Sequence, residues 1–227
     1  MLLIFDLDGT LIDSSEDLAI STNAARARFG LPPLSQEIVN SYVGNGAAVL
    51  VRKAMGPDAS EASVAEALAY FLKFYRAHAL EHTRLYGGMR EAVTQLAQEH
   101  QLAVLTNKPQ KISFDILASL KLETCFLCVI GGDTLAVKKP DPLGIVTLME
   151  HAGAGADRTL MVGDSSVDIS TARNASVRSC GVLWGFQPET FEMMAPDFLV
   201  DKPGELVRLI QKLQVSDDGN LFPRPGV

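Results

Sequence analysis

Asp6 and Asp8 stand two residues apart, and the turn Gly9-Thr10 follows them directly. Three further groups of polar residues carry chemical potential: Thr106-Asn107, Lys138-Lys139 before Pro140-Asp141-Pro142, and Asp164 with Asp168. Brought to one place, these would be four carboxylates, a hydroxyl and a lysine. Carboxylates crowded together repel, and some would hold their protons. A hard divalent cation removes that penalty, and an all-oxygen donor set suits Mg²⁺.

The elements around these residues explain how they would meet. Leu2–Phe5 with Asp6 forms a short apolar run, as expected of a strand buried on both faces. From about Ser15 to Thr83 the pattern is helical, broken at Gly30–Pro33, Val43–Gly46 and Gly56-Pro57. Its last helix, about Glu61–His82, puts Val64, Leu68, Phe71, Leu72 and Tyr75 on one stripe. After Gly87-Gly88 strands and helices alternate. Strands are expected at Leu102–Thr106, Phe126–Ile130, Leu160–Val162, Cys180–Leu183 and Phe198–Val200. Helices are expected at Met89–His100, Pro109–Leu120, Pro142–His151, Val167–Ala175, Pro188–Ala195 and Gly204–Leu213.

This alternation predicts an α/β fold, a Rossmann-like parallel sheet core covered on both faces, with an inserted helical cap. The expected division is a catalytic core of residues 1–14 and 84–227, a cap of 15–83, and a loose polar tail over about 216–227. Ligands of such sheets bind beyond the carboxyl ends of the strands, where Asp6, Asp8, Thr106, Asn107 and Asp164 fall.

Composition narrows the partners. Of the 227 residues, 47% are hydrophobic, enough for a substantial core. A formal net charge of −7 argues against a nucleic-acid binder, which needs a basic face. No apolar run reaches the roughly 18–20 residues of a membrane span, and no signal peptide is visible. Three cysteines in a chain of this size fit a reducing cytoplasm better than a disulfide framework.

Four segments together resemble the motifs of the haloacid dehalogenase superfamily: Asp6-Leu7-Asp8-Gly9-Thr10, Thr106-Asn107, Lys139-Pro140 and Gly163-Asp164-Ser165-Ser166-Val167-Asp168. The resemblance covers nearly the whole chain. Within the superfamily, Val43-Gly44-Asn45-Gly46-Ala47, Thr106-Asn107-Lys108-Pro109 and Trp184-Gly185-Phe186 are most similar to the phosphoglycolate phosphatase branch. Tyr86-Gly87-Gly88 departs from the usual Tyr-Pro-Gly, and Ser176 stands where a glycine often ends a helix.

The resemblance implies a magnesium-dependent phosphohydrolase acting on a small phosphorylated metabolite, as a monomer or homodimer. Asp6 would be the nucleophile, and Asp8 would protonate the leaving alkoxide and then take a proton from water. Asp6, the Asp8 carbonyl and Asp164 would hold Mg²⁺, with Asp168 orienting Lys139 or metal-bound water. Thr106 and Lys139 would stabilise the transferring oxygens, and Gly9, Asn107 and Lys108 would line the phosphate or substrate site. In the cap, Gly44, Asn45, Gly46 and Arg52 are candidates for a substrate carboxylate, with Lys53 beside them; the alternative is a plain interhelix turn and solvated side chains.

Other readings stay in play. A sugar-phosphate mutase, or a phosphatase for another small metabolite, would use the same scaffold, and a non-catalytic phospho-ligand module is a more distant alternative. His78–His82 spells His-x-x-Glu-His, expected here as solvated polar residues at a helix end. Cys125-x-x-Cys128 has no second pair, and reads as buried structural cysteines.

Overall fold

The computed structural model describes residues 1–217. Six parallel strands form one sheet: β1 (Leu2–Phe5), β4 (Gln101–Leu105), β5 (Cys128–Ile130), β6 (Thr159–Gly163), β7 (Arg178–Val182) and β8 (Phe198–Val200). Their order is β5-β4-β1-β6-β7-β8. The chain builds outward from β1 on one side and then on the other, so the strand order reverses beside β1. Its carboxyl end is therefore where a ligand crevice opens.

β1 is apolar throughout because both faces are covered. Leu3 and Phe5 join one core with Val104 and Val162, while Leu2 and Ile4 join a second with Leu105 and Met161. That alternation is the two-residue period of a strand. Helices α5 (Met89–Leu96), α6 (Gln110–Ser119) and α9 (Pro203–Asp217) cover the first face; α7 (Leu143–Ala152) and α8 (Ser166–Asn174) cover the second.

Between β1 and β4 lie α1 (Ser15–Ala27), α2 (Gln36–Asn40), α3 (Ala47–Met55) and α4 (Glu61–His78). α1 packs on α2, α3 and α4, and α3 packs on α4. Val64, Ala67, Phe71 and Tyr75 are the buried stripe of α4, with Leu68 and Leu72 partly covered. Where the chain leaves and re-enters the sheet layer, β2 (Ile12–Asp13) and β3 (Arg84–Leu85) pair antiparallel. Two-residue strands leave no periodic signature, so this ribbon was not legible in the sequence. Asp17, 1% exposed, clamps the same crossing: it accepts from His82 N (3.0 Å), Thr83 N (2.8 Å) and Thr83 Oγ1 (2.7 Å).

Several expected elements differ. The helix expected at Pro188–Ala195 is a 3₁₀ turn, Pro188–Glu192, confined between Pro188 and Pro196. The strand expected from Phe126 starts at Cys128, because a 3₁₀ turn at Glu123–Cys125 precedes it. Cys125 and Cys128 are half-buried free thiols rather than fully buried ones. The last helix runs to Asp217, two residues into the expected tail, and residues 218–227 lie outside the described part. Ser176 holds φ +57°, a left-handed conformation that favours glycine.

Asp17→Ala would strip the acceptor from buried N–H groups at the crossing. A loss of about 3 kcal/mol in urea unfolding is expected. A loss below about 1 kcal/mol would show that the clamp is not needed.

Candidate active site

Asp6 continues β1 by one residue, its N–H donating to Val162 O at 2.9 Å. Thr106 likewise extends β4, donating to Ile130 O at 3.0 Å. Asp164 follows β6, and Asp168 sits in the first turn of α8. All four are buried, as are Asp8, Asn107, Lys108 and Lys139. The sheet thus gathers the residues that the sequence spreads over more than 160 positions.

Lys139 lies at the centre, 2.6 Å from Asp168 Oδ1 and 2.9 Å from Asp6 Oδ1. The Lys139–Asp168 contact is a directed hydrogen bond, whereas Asp6 Oδ1 receives no directed donor. Asp168 Oδ2 is committed to Ser165 N and Oγ in a capping box, so both its oxygens are engaged. Asp168 thus holds the Lys139 ammonium through a hydrogen bond while its other oxygen is tied to Ser165. Burial favours a neutral lysine, yet the Asp168 and Asp6 charges outweigh it and hold the ammonium above its usual range.

Asp164 is held by contacts that demand glycine nearby. Gly9 adopts φ +80°, and a Cβ there would fall 2.1 Å from Asp164 Oδ2. A Cβ on Gly185 would fall 2.1 Å from Asp164 Cβ. The same segment feeds Phe186 N to Asp164 Oδ2 at 2.7 Å, while Trp184 Nε1 donates to Thr10 O at 3.0 Å. Trp184-Gly185-Phe186 is thus a cradle for Asp164.

Asp6, Asp164 and Asp168 each place an oxygen within 4.8 Å of the others. Burial raises Asp6 to about 6 against the pull of Lys139. Burial, then the charges of Asp168 and Asp6, raise Asp164 well above the carboxylate range. Three carboxylates this close, with Asp6 and Asp164 both raised by burial and by acidic neighbours, fit a metal ion: the cluster is an acidic site able to hold one.

Asp8 lines the same cleft as Asp6 but has its own partners. Its carboxylate receives Ser14 Oγ at 2.5 Å and Lys108 Nζ at 2.9 and 3.0 Å. Lys108 also donates to the Tyr75 hydroxyl at 2.5 Å. Tyr75, buried on α4, had no marker in the sequence beyond its place on an apolar stripe. Burial holds its hydroxyl up at about 12. Thr106 Oγ1 accepts the Lys108 N–H at 3.3 Å.

Asn107 is present but occupied. It donates to Lys139 O and Gly44 O, and accepts from Lys139 N, so its amide brackets Lys139 and the 43–46 loop. Gly44 and Gly46 line the cleft, whereas Asn45 is exposed. Arg52 is not brought to the site: it lies about 140° round α3 from Ala47, donating to Ala59 O and pairing with Glu61. Lys53 sits over the Tyr42 ring at 5.4 Å. His78 and His82 pair with separate carboxylates, Glu81 and Glu16, and converge on nothing.

A parallel sheet with an aspartate pair at its central strand end, and a lysine and two more aspartates on the same rim, defines a class. The model for haloacid dehalogenase-like hydrolases matches residues 3–182, and the chain belongs to that family. Among its relatives, the phosphoglycolate phosphatase of Vibrio cholerae is 39% identical over 219 residues, covering 92% of this chain and 96% of that one. The phosphoglycolate phosphatase of Pseudomonas putida is 38% identical over 207 residues, covering 88% and 76%. Among solved structures, one described as a predicted phosphoglycolate phosphatase from Haemophilus somnus superposes with a TM-score of 0.87. It is 32% identical over 92% of this chain and 97% of that one.

The raised Asp164 has a stability consequence. In metal-free protein the folded state binds a proton that the unfolded chain has released, so stability falls as pH rises from about 4 through the folded value. Asp164→Asn should therefore melt higher than the parent at pH 7 to 8 without metal, with the gap closing toward pH 4. A parent more stable than the variant at pH 8 would contradict the assignment.

Proposed function

We propose that this chain hydrolyses 2-phosphoglycolate to glycolate and phosphate through an aspartyl-phosphate on Asp6. One observation carries the choice of substrate: the Asp8–Lys108 pair, 2.9 Å apart and buried. In 2-phosphoglycolate a single carbon separates the carboxylate from the bridging oxygen. The cation that meets this carboxylate must therefore lie beside the group that protonates that oxygen. Among the described residues lining the cleft, Lys108 is the one cation. The names of the relatives point the same way.

The chemistry divides among the chain's own residues. Asp6 attacks phosphorus, its ionised form favoured by the Lys139 ammonium. The bond to the bridging oxygen breaks as Asp8 gives it a proton, and glycolate leaves. A water then attacks the phosphoryl group, giving its proton to Asp8 and restoring Asp6. Thr106 Oγ1 and Lys139 Nζ bind the transferring oxygens, and Asp168 keeps Lys139 aimed. Asp6, Asp164 and the Asp8 carbonyl would hold Mg²⁺, which when bound offsets the repulsion between carboxylates and phosphate dianion.

Residues 15–83 act as the cap over a core of residues 1–14 and the chain from 84 onward. Its face on the cleft is almost wholly apolar, with Leu18, Val43, Leu50, Phe71 and Leu72. A hydroxyl-rich sugar phosphate would find few partners there, which speaks against a sugar-phosphate mutase. We place the enzyme in the cytoplasm, a compartment that suits its three free thiols.

A phosphate-release panel over some dozens of esters, with and without Mg²⁺, tests this reading. The highest kcat/KM is expected for 2-phosphoglycolate, with activity lost on chelation. Asp6→Asn should lower kcat by at least about 1,000-fold with its melting behaviour retained. A sugar phosphate turned over tenfold better would remove the substrate assignment, and an active Asp6→Asn would remove the nucleophile.

A further inference from the structure

Tyr75 supplies the polar side-chain group that the helical layer presents to the cleft; the other side chains it contributes there are apolar. The residue is 2% exposed, and its ring stacks on Phe71 with centroids 5.6 Å apart. Lys108 Nζ sits 4.4 Å from the ring centroid and donates to the hydroxyl oxygen at 2.5 Å. The hydroxyl is thus an acceptor in this contact, and its own proton goes to no acceptor among the described residues. A buried donor in that condition calls for an acceptor that arrives with a ligand.

The chemistry of that acceptor follows from its neighbours. It would stand beside the Lys108 ammonium and against an apolar wall, next to the Asp8 carboxyl that serves the bridging oxygen. A negatively charged oxygen is favoured there, and charge-assisted hydrogen bonds are the strong ones. An uncharged hydroxyl would gain less and would leave its own proton facing Leu18, Leu50 or Leu72.

We infer that Tyr75 is a specificity-determining residue: its hydroxyl donates to one carboxylate oxygen of the substrate while Lys108 pairs with the other. This rests on the phosphoglycolate reading and assigns the acid group to a two-point clamp, one arm from α4 and one from the loop after β4. It also accounts for a cap that reads a carboxylate with no arginine among the described residues lining the cleft. The clamp joins α4 to the loop after β4, so it depends on how α4 sits over that loop.

The test compares two esters on the same two-carbon skeleton, 2-phosphoglycolate and ethyl phosphate, with parent and Tyr75→Phe in saturating Mg²⁺. Phenylalanine keeps the stacking on Phe71 and the face offered to Lys108, and removes only the hydroxyl. Each preparation is scored by the ratio of its two kcat/KM values, from which any loss of folded protein cancels. The ratio should fall by about 10- to 100-fold in Tyr75→Phe. An unchanged ratio, or an equal loss on both esters, would overturn the role of Tyr75 while leaving the substrate reading in place. A parent enzyme with no preference for 2-phosphoglycolate would overturn the substrate reading itself, and the clamp with it.

Discussion

Four buried carboxylates, Asp6, Asp8, Asp164 and Asp168, share one rim with two buried ammonium groups, Lys108 and Lys139. Negative charge is in excess, and the surrounding structure is arranged to tolerate it. Each carboxylate has dedicated partners: Asp8 has Ser14 and Lys108, Asp168 has Ser165 and Lys139, and Asp164 has Phe186 N. Asp6 is the least satisfied, with an ion pair and no directed hydrogen bond to its Oδ1. A carboxylate so placed beside a lysine suits the nucleophile's part proposed for Asp6. Such charge imbalance costs stability, and a bound cation and substrate would offset that cost.

The helical layer is tied to this rim through polar points rather than through apolar packing alone. Gln187 donates to Asn40 O at 2.8 Å and Val43 O at 2.9 Å, and Asn107 donates to Gly44 O at 2.8 Å. Gln187 directly follows the Trp184–Phe186 segment that cradles Asp164. Ser14 binds Asp8 from the outgoing linker, while Asp17 clamps the returning one. A displacement of the layer would therefore be felt at Asp164, Lys139 and Asp8 together. Hydrogen bonds of this kind break and re-form at low net cost in water.

Much of this was legible in the sequence because it rests on local rules. The fully apolar run at Leu2–Phe5 announced a strand covered on both faces, and the strand–helix alternation after Gly88 announced a parallel sheet. The placement of Asp6, Thr106 and Asp164 at strand ends then followed from the switch-point rule. Side-chain direction was not legible. Arg52 looked suited to an anion by charge and position, yet the helical period turns it toward Glu61. Tyr75 looked like core, and it is core, but its hydroxyl ends at Lys108 because the two linkers bring α4 over the loop after β4. Asn107 looked like a phosphate ligand, and the fold spends its amide on Lys139 and Gly44. Such assignments depend on contacts between segments some 30 to 60 residues apart, as in the Asn107 bonds, which no local pattern encodes.

The central claim is that Asp6 carries the phosphoryl group covalently. Rapid acid quench during turnover of 2-phosphoglycolate, followed by peptide mapping by mass spectrometry, measures this directly. A phosphorylated aspartate at position 6, formed and lost at rates that account for turnover, is the expected result. Phosphate released at full rate with no modification at Asp6, or with the label on another side chain, would contradict the account.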